Sequence, residues 1–159
     1  MRSLFIAPAL LAAVFLAPPT RAAAPGPATR PEVRSSAALV VDASDSSVLF
    51  ARRDDAAVPI ASITKLMTAL VVTGGRQPLD EKLTITAADR DQTRGSASRL
   101  AVGTRLSRRE LLHLALMSSE NRAAQALARN YPGGVPAFVR AMNDRARALG
   151  MGRTRFADP

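Results

Sequence analysis

The sequence predicts an α+β fold in which one β-hairpin is followed mainly by helices. Residues 37–41 and 48–51 are apolar runs of strand length, and the polar stretch between them has the composition of a turn. From Ser62 onward the apolar residues recur mostly at helical spacing. The chain has 159 residues, 47% of them apolar, so it is long enough for one domain with a buried core.

The first 24 residues have the layout of a secretory signal peptide. Arg2 supplies a basic start, residues 4–17 form an apolar run too short for a comfortable membrane span, and small residues follow at 22–24. An N-terminal membrane anchor is the alternative interpretation. We therefore expect export to the periplasm and contact with the membrane only through the signal peptide at 1–24. Residues 23–31 are rich in Ala, Pro and Gly, and we expect a linker at 25–36.

The composition excludes several kinds of site. The chain has no cysteine and one histidine, which rules out a disulfide scaffold, a zinc–thiolate site, a thiol nucleophile and a cage of several histidines. We expect neither a metal nor a cofactor. Arginine stays protonated in proteins, so chemistry that needs a neutral amine depends on one of the two lysines, Lys65 or Lys82.

The formal net charge of +9 does not by itself indicate nucleic-acid binding. The arginines are spread along the chain, which has one tyrosine and no tryptophan to stack on bases. Because export is expected as well, we predict no nucleic-acid partner.

The first predicted elements are the hairpin and one long helix. We expect strand 37–41 to be buried because it is continuously apolar. The helix starts at Ser62 and ends at the glycines 74–75, and protein is expected to surround it because its other faces carry mostly Ala, Thr and Val. Its apolar stripe consists of Ile63, Leu66, Met67, Leu70 and Val71.

The middle of the chain carries one short strand and two helix starts. Residues 82–85 fit a strand, and Thr86 with Asp89 can cap a short helix after it. Ser107 and Glu110 have the spacing of a capping box before an apolar helix.

The last predicted helix follows an Ala-rich helical segment at 122–129. Pro136 suits the first position of this helix, and Gly150 ends it. We expect four of its side chains to point inward, namely Val139, Met142, Ala146 and Leu149. The three candidate strands make a thin sheet for so many helices.

Ser62 and Lys65 form the first candidate site. A hydroxyl at a helix start and an amine three residues later lie on one helix face, so the amine can act on the hydroxyl as a base when it is neutral. Apolar surroundings and the positive end of the helix dipole both disfavour the charged amine. The backbone N–H groups at the same helix start can face a developing oxyanion. The alternative is that Ser62 only caps the helix and Lys65 is solvated.

Residues 118–121, Ser-Ser-Glu-Asn, form the second candidate site between two helical segments. Taken alone, they are equally consistent with a simple helix break. A Ser-x-x-Lys pattern at a helix start, followed by Ser-x-Asn between helices, is the motif set of the penicillin-recognising serine enzymes.

A longer resemblance supports these two motifs. Residues 59–69 resemble the active-site segment of the D-alanyl-D-alanine carboxypeptidases and endopeptidases, the low-molecular-mass penicillin-binding proteins. Residues 95–100 and 114–124 resemble the endopeptidase branch. The resemblance implies a penicillin-binding/β-lactamase-like α+β fold, in which an antiparallel sheet packs against a helical region. It also implies peptidoglycan peptides as substrates and β-lactam antibiotics as inhibitors.

The resemblance also assigns roles to four residues. Ser62 would be the nucleophile that forms the acyl-enzyme, and Lys65 would accept its proton. Ser119 would relay a proton to the leaving amine, and Asn121 would hold the substrate backbone. The implied activity is that of a serine-type D-Ala-D-Ala carboxypeptidase or endopeptidase.

The third motif of the family, Lys-Thr-Gly on a late strand, does not occur in this sequence. We therefore expect residues 37–159 to be the N-terminal part of the peptidase domain, truncated before its C-terminal strands. We also expect this part to be inactive alone, because that strand forms the other wall of the cleft in the family.

Two other functions are weighed against this one. A class A β-lactamase uses a glutamate that follows the Ser-x-Asn motif, and no glutamate follows Glu120. An inactive wall-binding homologue would be expected to lose Lys65 or Ser119, and both are present.

Overall fold

The computed structural model describes residues 31–90 and 98–159. The predicted signal peptide at 1–24 lies outside these residues. The chain divides into two compact units, residues 1–52 and 53–159. In the described part of the first unit, β1 (Ala38–Val41) pairs with β2 (Val48–Arg52) in antiparallel fashion, which confirms the predicted hairpin.

Hydrogen bonds within the turn close this hairpin. The Asp42 amide donates to the Ser47 carbonyl at 2.8 Å, and the Ser46 amide donates to the Asp42 carbonyl at 2.9 Å. The Asp42 carboxylate accepts from the side chain and the amide of Ser44, which lowers the pKa of Asp42. The burial predicted for the first strand is wrong. About half of the surface of Leu39 is exposed, and the large apolar side chains next to it on β1 and at the start of β2 are exposed to a similar extent. In this unit the described residues supply two strands and no further layer to cover either face.

The second unit contains two short strands and four helices among its described residues. The strands β3 (Lys82–Thr84) and β4 (Arg105–Ser107) pair in antiparallel fashion. The sequence analysis missed β4 because its three residues continue directly into the next helix. The helices are α1 (Thr64–Gly74), α2 (Arg108–Met117), α3 (Asn121–Arg129) and α4 (Gly134–Ala148).

The core of this unit lies where the four helices meet. Helix α3 packs against α1, α2 and α4, and its buried alanines leave room for the neighbouring helices to approach closely. Phe138 of α4 is fully buried, and its ring meets that of Tyr131 edge to face with the centroids 5.3 Å apart. Within the described residues, no helix is long and apolar enough to span a membrane.

Helix α1 is rotated relative to the sequence prediction. Met67 and Val71 of the predicted stripe are buried, but Ile63 is 63% exposed and Leu66 is 61% exposed. The buried face is instead centred on three other positions of the helix, Lys65, Thr68 and Val72, so an amine faces the packed side. Full enclosure of this helix is therefore not observed among the described residues.

The helix starts agree more closely with the sequence. The Ser107 hydroxyl accepts from the Glu110 amide at 3.2 Å, and Glu110 Oε2 accepts from the Ser107 amide at 2.6 Å, which confirms the capping box of α2. Helix α4 starts two residues before the predicted position, so Pro136 occupies its first turn, where the missing N–H has no cost. Leu149 follows the helix and is half exposed, not inward as predicted.

A buried ion pair joins the short 3₁₀ turn Ala87–Asp89 to α3. The Asp89 side chain is fully buried and accepts from Arg129 Nε at 2.7 Å and Nη2 at 3.0 Å. The same carboxylate raises the pKa of Arg129, and Arg129 Nη2 also donates to the Thr84 carbonyl at 2.9 Å. This pair therefore connects β3, the 3₁₀ turn and α3.

We expect Asp89→Ala to lower the free energy of unfolding by about 2 kcal/mol, because it removes both charged hydrogen bonds of the partly buried Arg129 guanidinium to this carboxylate. Chemical denaturation of the protein measures this loss. Asp144→Ala is the control, because it removes an exposed ion pair with Arg147 and should lower the stability far less. Equal losses in the two variants would contradict the structural role of the Asp89 pair.

We expect the capping box of α2 to make stability depend on pH. Hydrogen bonds from Ser107, assisted by Lys82, lower the pKa of Glu110 from its usual 4.5 to about 2 in the folded protein. Because the folded pKa is the lower one, the contribution is complete above pH 4.5 and is lost as the pH falls towards 2. The stability difference between the wild type and Glu110→Gln, measured by denaturation, should shrink over this range. A constant difference would contradict the prediction.

Candidate active site

Ser62 lies in a 3₁₀ turn, Ala61–Ile63, that leads directly into α1. The Ile63 amide donates to the Ile60 carbonyl at 3.1 Å, which tightens the chain just before the helix. Ser62 is exposed, so its hydroxyl is accessible from solvent. Ser62 thus lies at a helix start, as the sequence predicts, although α1 itself begins two residues later at Thr64.

Lys65 lies one turn further along and is 6% exposed. Its Nζ donates to Oδ1 of Asn121, the first residue of α3, at 2.5 Å. The structure therefore contradicts the alternative in which Lys65 is solvated. A buried amine needs polar contacts, and the Asn121 side chain provides one of them.

Ser119 lies in the turn between α2 and α3, and its hydroxyl donates to the Ser62 hydroxyl. Two amides, those of Ser118 and Glu120, converge on the Leu114 carbonyl at 3.0 and 3.3 Å and hold this turn against the end of α2. The structure thus brings together all four candidate residues, in the contacting pairs Ser62–Ser119 and Lys65–Asn121.

Backbone strain occurs on both sides of the Ser62–Ser119 contact. Ala61 has φ +46° and Ser119 has φ +56°, both in the left-handed region that residues with a side chain rarely occupy. Each such residue costs about 1–2 kcal/mol unless its surroundings compensate. Strained residues cluster at functional sites, and these two place the paired hydroxyls.

An open cleft of about 530 Å³ lies beside Ser119. The Ser118–Asn121 turn forms one side of it, and Arg99, Leu100 and Leu114 also line it. The sequence analysis did not assign Arg99 or Glu120 to the site. Both lie within segments on which the family resemblance rests, at 95–100 and 114–124, and this resemblance is the sequence signal that could have assigned them to the site. Residues 95–97 of the first segment lie outside the described part of the chain.

The other lysine and the histidine are outside this cluster. Lys82 is exposed and pairs with Glu110 at 3.1 Å, and His113 is exposed on α2. Of the two lysines, Lys65 is therefore the buried one, three residues after Ser62 and in contact with Asn121. An amine one helical turn from a hydroxyl can activate that hydroxyl for attack on a carbonyl, and a second hydroxyl contacts it here.

A family model described as D-alanyl-D-alanine carboxypeptidase matches residues 23–159. The D-alanyl-D-alanine endopeptidase of Pseudomonas aeruginosa is 51% identical over 157 residues, and that of Escherichia coli is 47% identical over 153 residues. These alignments cover 99% and 95% of the chain but 50% and 49% of the relatives. The chain thus spans about half the length of the curated relatives it matches. The resemblance predicted from the sequence is confirmed.

Solved structures show the same fold. The Streptomyces K15 DD-transpeptidase matches with a TM-score of 0.75 at 30% identity, over 82% of this chain and 53% of that chain. Penicillin binding protein 5 from Haemophilus influenzae matches with a TM-score of 0.72 at 27% identity, over 82% of this chain and 40% of that chain. The predicted penicillin-binding/β-lactamase-like α+β fold is therefore confirmed.

Proposed function

The chain belongs to the D-alanyl-D-alanine carboxypeptidase family, and from that membership we propose that the protein is a serine D,D-peptidase acting on peptidoglycan peptides. The observation that carries the proposal is the meeting of two contacts, Ser62 with Ser119 and Lys65 with Asn121. Ser119 and Asn121 line the cleft, and through these two contacts they connect it to the Ser62 hydroxyl and the Lys65 amine.

Ser62 is the nucleophile in this proposal. Its Oγ attacks the carbonyl carbon of a D-alanine residue while its proton passes to the Lys65 amine. Collapse of the tetrahedral intermediate breaks the peptide bond and releases the amine, which takes up a proton. Water then hydrolyses the resulting ester and restores Ser62. No metal or cofactor takes part in these steps.

Lys65 is the proton acceptor. Burial disfavours a charged amine, and the position of Lys65 in the first turn of α1 adds the unfavourable positive end of the helix dipole. Both effects make the neutral amine more accessible than in a solvated lysine. The contact with Asn121 Oδ1 orients the amine.

Ser119 and Asn121 complete the proposed mechanism. The Ser119 hydroxyl contacts Ser62, so it can pass a proton from the base towards the leaving amine. The Asn121 side chain lines the cleft as well as contacting Lys65, so it can also hold the backbone of a substrate there.

The relatives favour cleavage of crosslinks over trimming of chain ends. The two relatives at 51% and 47% identity are named D-alanyl-D-alanine endopeptidase, whereas the Streptomyces K15 relative named carboxypeptidase is 32% identical. We therefore propose a D,D-crosslink in peptidoglycan as the preferred substrate. We propose the periplasm as the site of action, in agreement with the expected signal peptide. We propose β-lactam antibiotics as inhibitors.

We expect penicillin to acylate Ser62 in a full-length protein that carries this chain together with the Lys-Thr-Gly strand of the family, because the strained β-lactam carbonyl is open to the same attack as the peptide. Mass spectrometry of peptides from the penicillin-treated intact protein identifies the labelled residue. Ser118→Ala is the matched control, since this serine lines the same cleft but has no assigned role. Label on another residue, or no label, would contradict the proposal.

We expect Lys65→Arg to slow acylation about 100-fold or more, the usual effect of losing a positioned base. Arginine keeps the positive charge but does not supply a neutral form. The measurement is the rate of penicillin labelling. Lys82→Arg, at an exposed lysine, should leave this rate unchanged. Near-normal labelling of Lys65→Arg would show that another group accepts the proton.

A further inference from the structure

Arg122, the second residue of α3, carries a partly buried guanidinium. Within residues 31–90 and 98–159 this side chain forms no ion pair, and its buried Nε meets no hydrogen-bond partner. The guanidinium donates instead to the Leu100 carbonyl. A buried cation is costly unless polar groups meet it, so this contact with Leu100 fixes where the side chain lies.

The chain around Leu100 gives this contact a fixed support. The Leu100 amide donates to Ser98 Oγ at 3.1 Å, so both polar groups of the Leu100 backbone are hydrogen-bonded. The Leu100 side chain packs against the helical core. Arg122 therefore joins the start of α3 to a segment that is itself held in place.

The turn that carries Ser119 is held from both of its ends. On the α2 side, the amides of Ser118 and Glu120 donate to the Leu114 carbonyl. On the α3 side, the Arg122 amide donates to Glu120 Oε1 at 3.1 Å. Ser119 lies between these contacts with φ +56°, a strained conformation that persists only where its surroundings enforce it. The position of Arg122 is therefore one of the constraints that place the Ser119 hydroxyl.

We propose, on the basis of the function proposed above, that Arg122 is a positioning residue for the Ser119 hydroxyl. Its guanidinium anchors the first turn of α3 to Leu100, and this anchor keeps the preceding turn in its strained form. Loss of the anchor lets the turn relax, which moves the Ser119 hydroxyl away from Ser62. Arg122 thus acts on the reaction through the proton that Ser119 passes to the leaving group.

The proposed proton transfer by Ser119 makes the effect of Arg122 depend on the leaving group. When the C–N bond of a peptide breaks, the amine takes up a proton, which Ser119 supplies and recovers from the protonated Lys65. When the C–S bond of a thioester breaks, the sulfur leaves as a thiolate, because thiols have a pKa of about 8.5, and the proton stays on Lys65. A displaced Ser119 hydroxyl therefore slows cleavage of the peptide and spares the thioester.

Two substrates with the same acyl group test this inference on a full-length protein that carries this chain together with the Lys-Thr-Gly strand of the family. One substrate ends in D-Ala-D-Ala, and in the other the nitrogen of the last peptide bond is replaced by sulfur. We expect Arg122→Met to lower kcat/KM for the peptide about 10- to 100-fold, the scale of a displaced catalytic group, and for the thioester less than about threefold. Ser119→Ala should show the same selective loss, and adding Arg122→Met to it should not increase that selectivity.

Matched variants separate the anchor from a general loss of charge or stability. Arg122→Lys keeps a cation that can donate to the Leu100 carbonyl, so it should restore most of the activity on the peptide. Arg109→Met removes an exposed arginine of α2 that pairs with Asp80, and it should change neither rate. Thermal melting measures the folded fraction of each variant. If Arg122→Met does not melt cooperatively, Arg122→Gln replaces it with the same expected result, because its polar side chain is too short to keep the contact.

The outcomes are distinguishable when penicillin labelling of the wild type is measured alongside. Equal losses on the peptide and the thioester in folded Arg122→Met would show a merely structural role, and no loss on either substrate would show no role in positioning. With a wild type that penicillin labels at Ser62, either result would overturn this inference alone. A wild type that penicillin does not label at Ser62 would overturn the proposed function and this inference with it.

Discussion

The hydrogen bond between Lys65 and Asn121 is the contact on which the arrangement of the site depends. It joins two residues 56 positions apart, one on the buried face of α1 and one at the first position of α3. A buried amine is costly unless polar groups meet it, and the Asn121 carboxamide is one such group, so this contact favours the start of α3 lying against α1. The turn that brings Asn121 to this place also carries Ser119 to Ser62. One turn therefore supplies a polar contact to the buried lysine and also forms the hydroxyl pair.

The ion pairs of this unit that contain a buried side chain contribute more to its stability than the ion pairs on its surface. Asp89 is fully buried against Arg129, and Arg108 is fully buried with its Nη2 2.5 Å from Glu81. In each pair one member is fully buried, so loss of its partner would leave a charge inside the protein. The Arg147–Asp144 pair is exposed within one helix, where solvent weakens such contacts. The fold around the site therefore relies on few ionic contacts, each at a junction between elements.

Local sequence signals predicted the local structure well and the tertiary arrangement less well. The hairpin, the capping box at Ser107 and the grouping of Ser62, Lys65, Ser119 and Asn121 all follow from short motifs or from the family resemblance. The buried face of α1 was not predictable from hydropathy, because a lysine lies on it while Ile63 and Leu66 point outward. Arg99 was missed for a similar reason. Its place at the cleft depends on a contact between Leu100 and Arg122, which are 22 positions apart.

The left-handed conformation of Ser119 restricts which residues this position can accept. Glycine adopts φ +56° without steric cost, so Ser119→Gly would relax the backbone, but it would also delete the hydroxyl that contacts Ser62. At Ala61, with φ +46°, glycine relaxes the backbone and no hydroxyl is at stake. Selection for stability and selection for the hydroxyl contact therefore oppose each other at position 119, whereas at position 61 the most stable backbone and an intact hydroxyl pair are compatible.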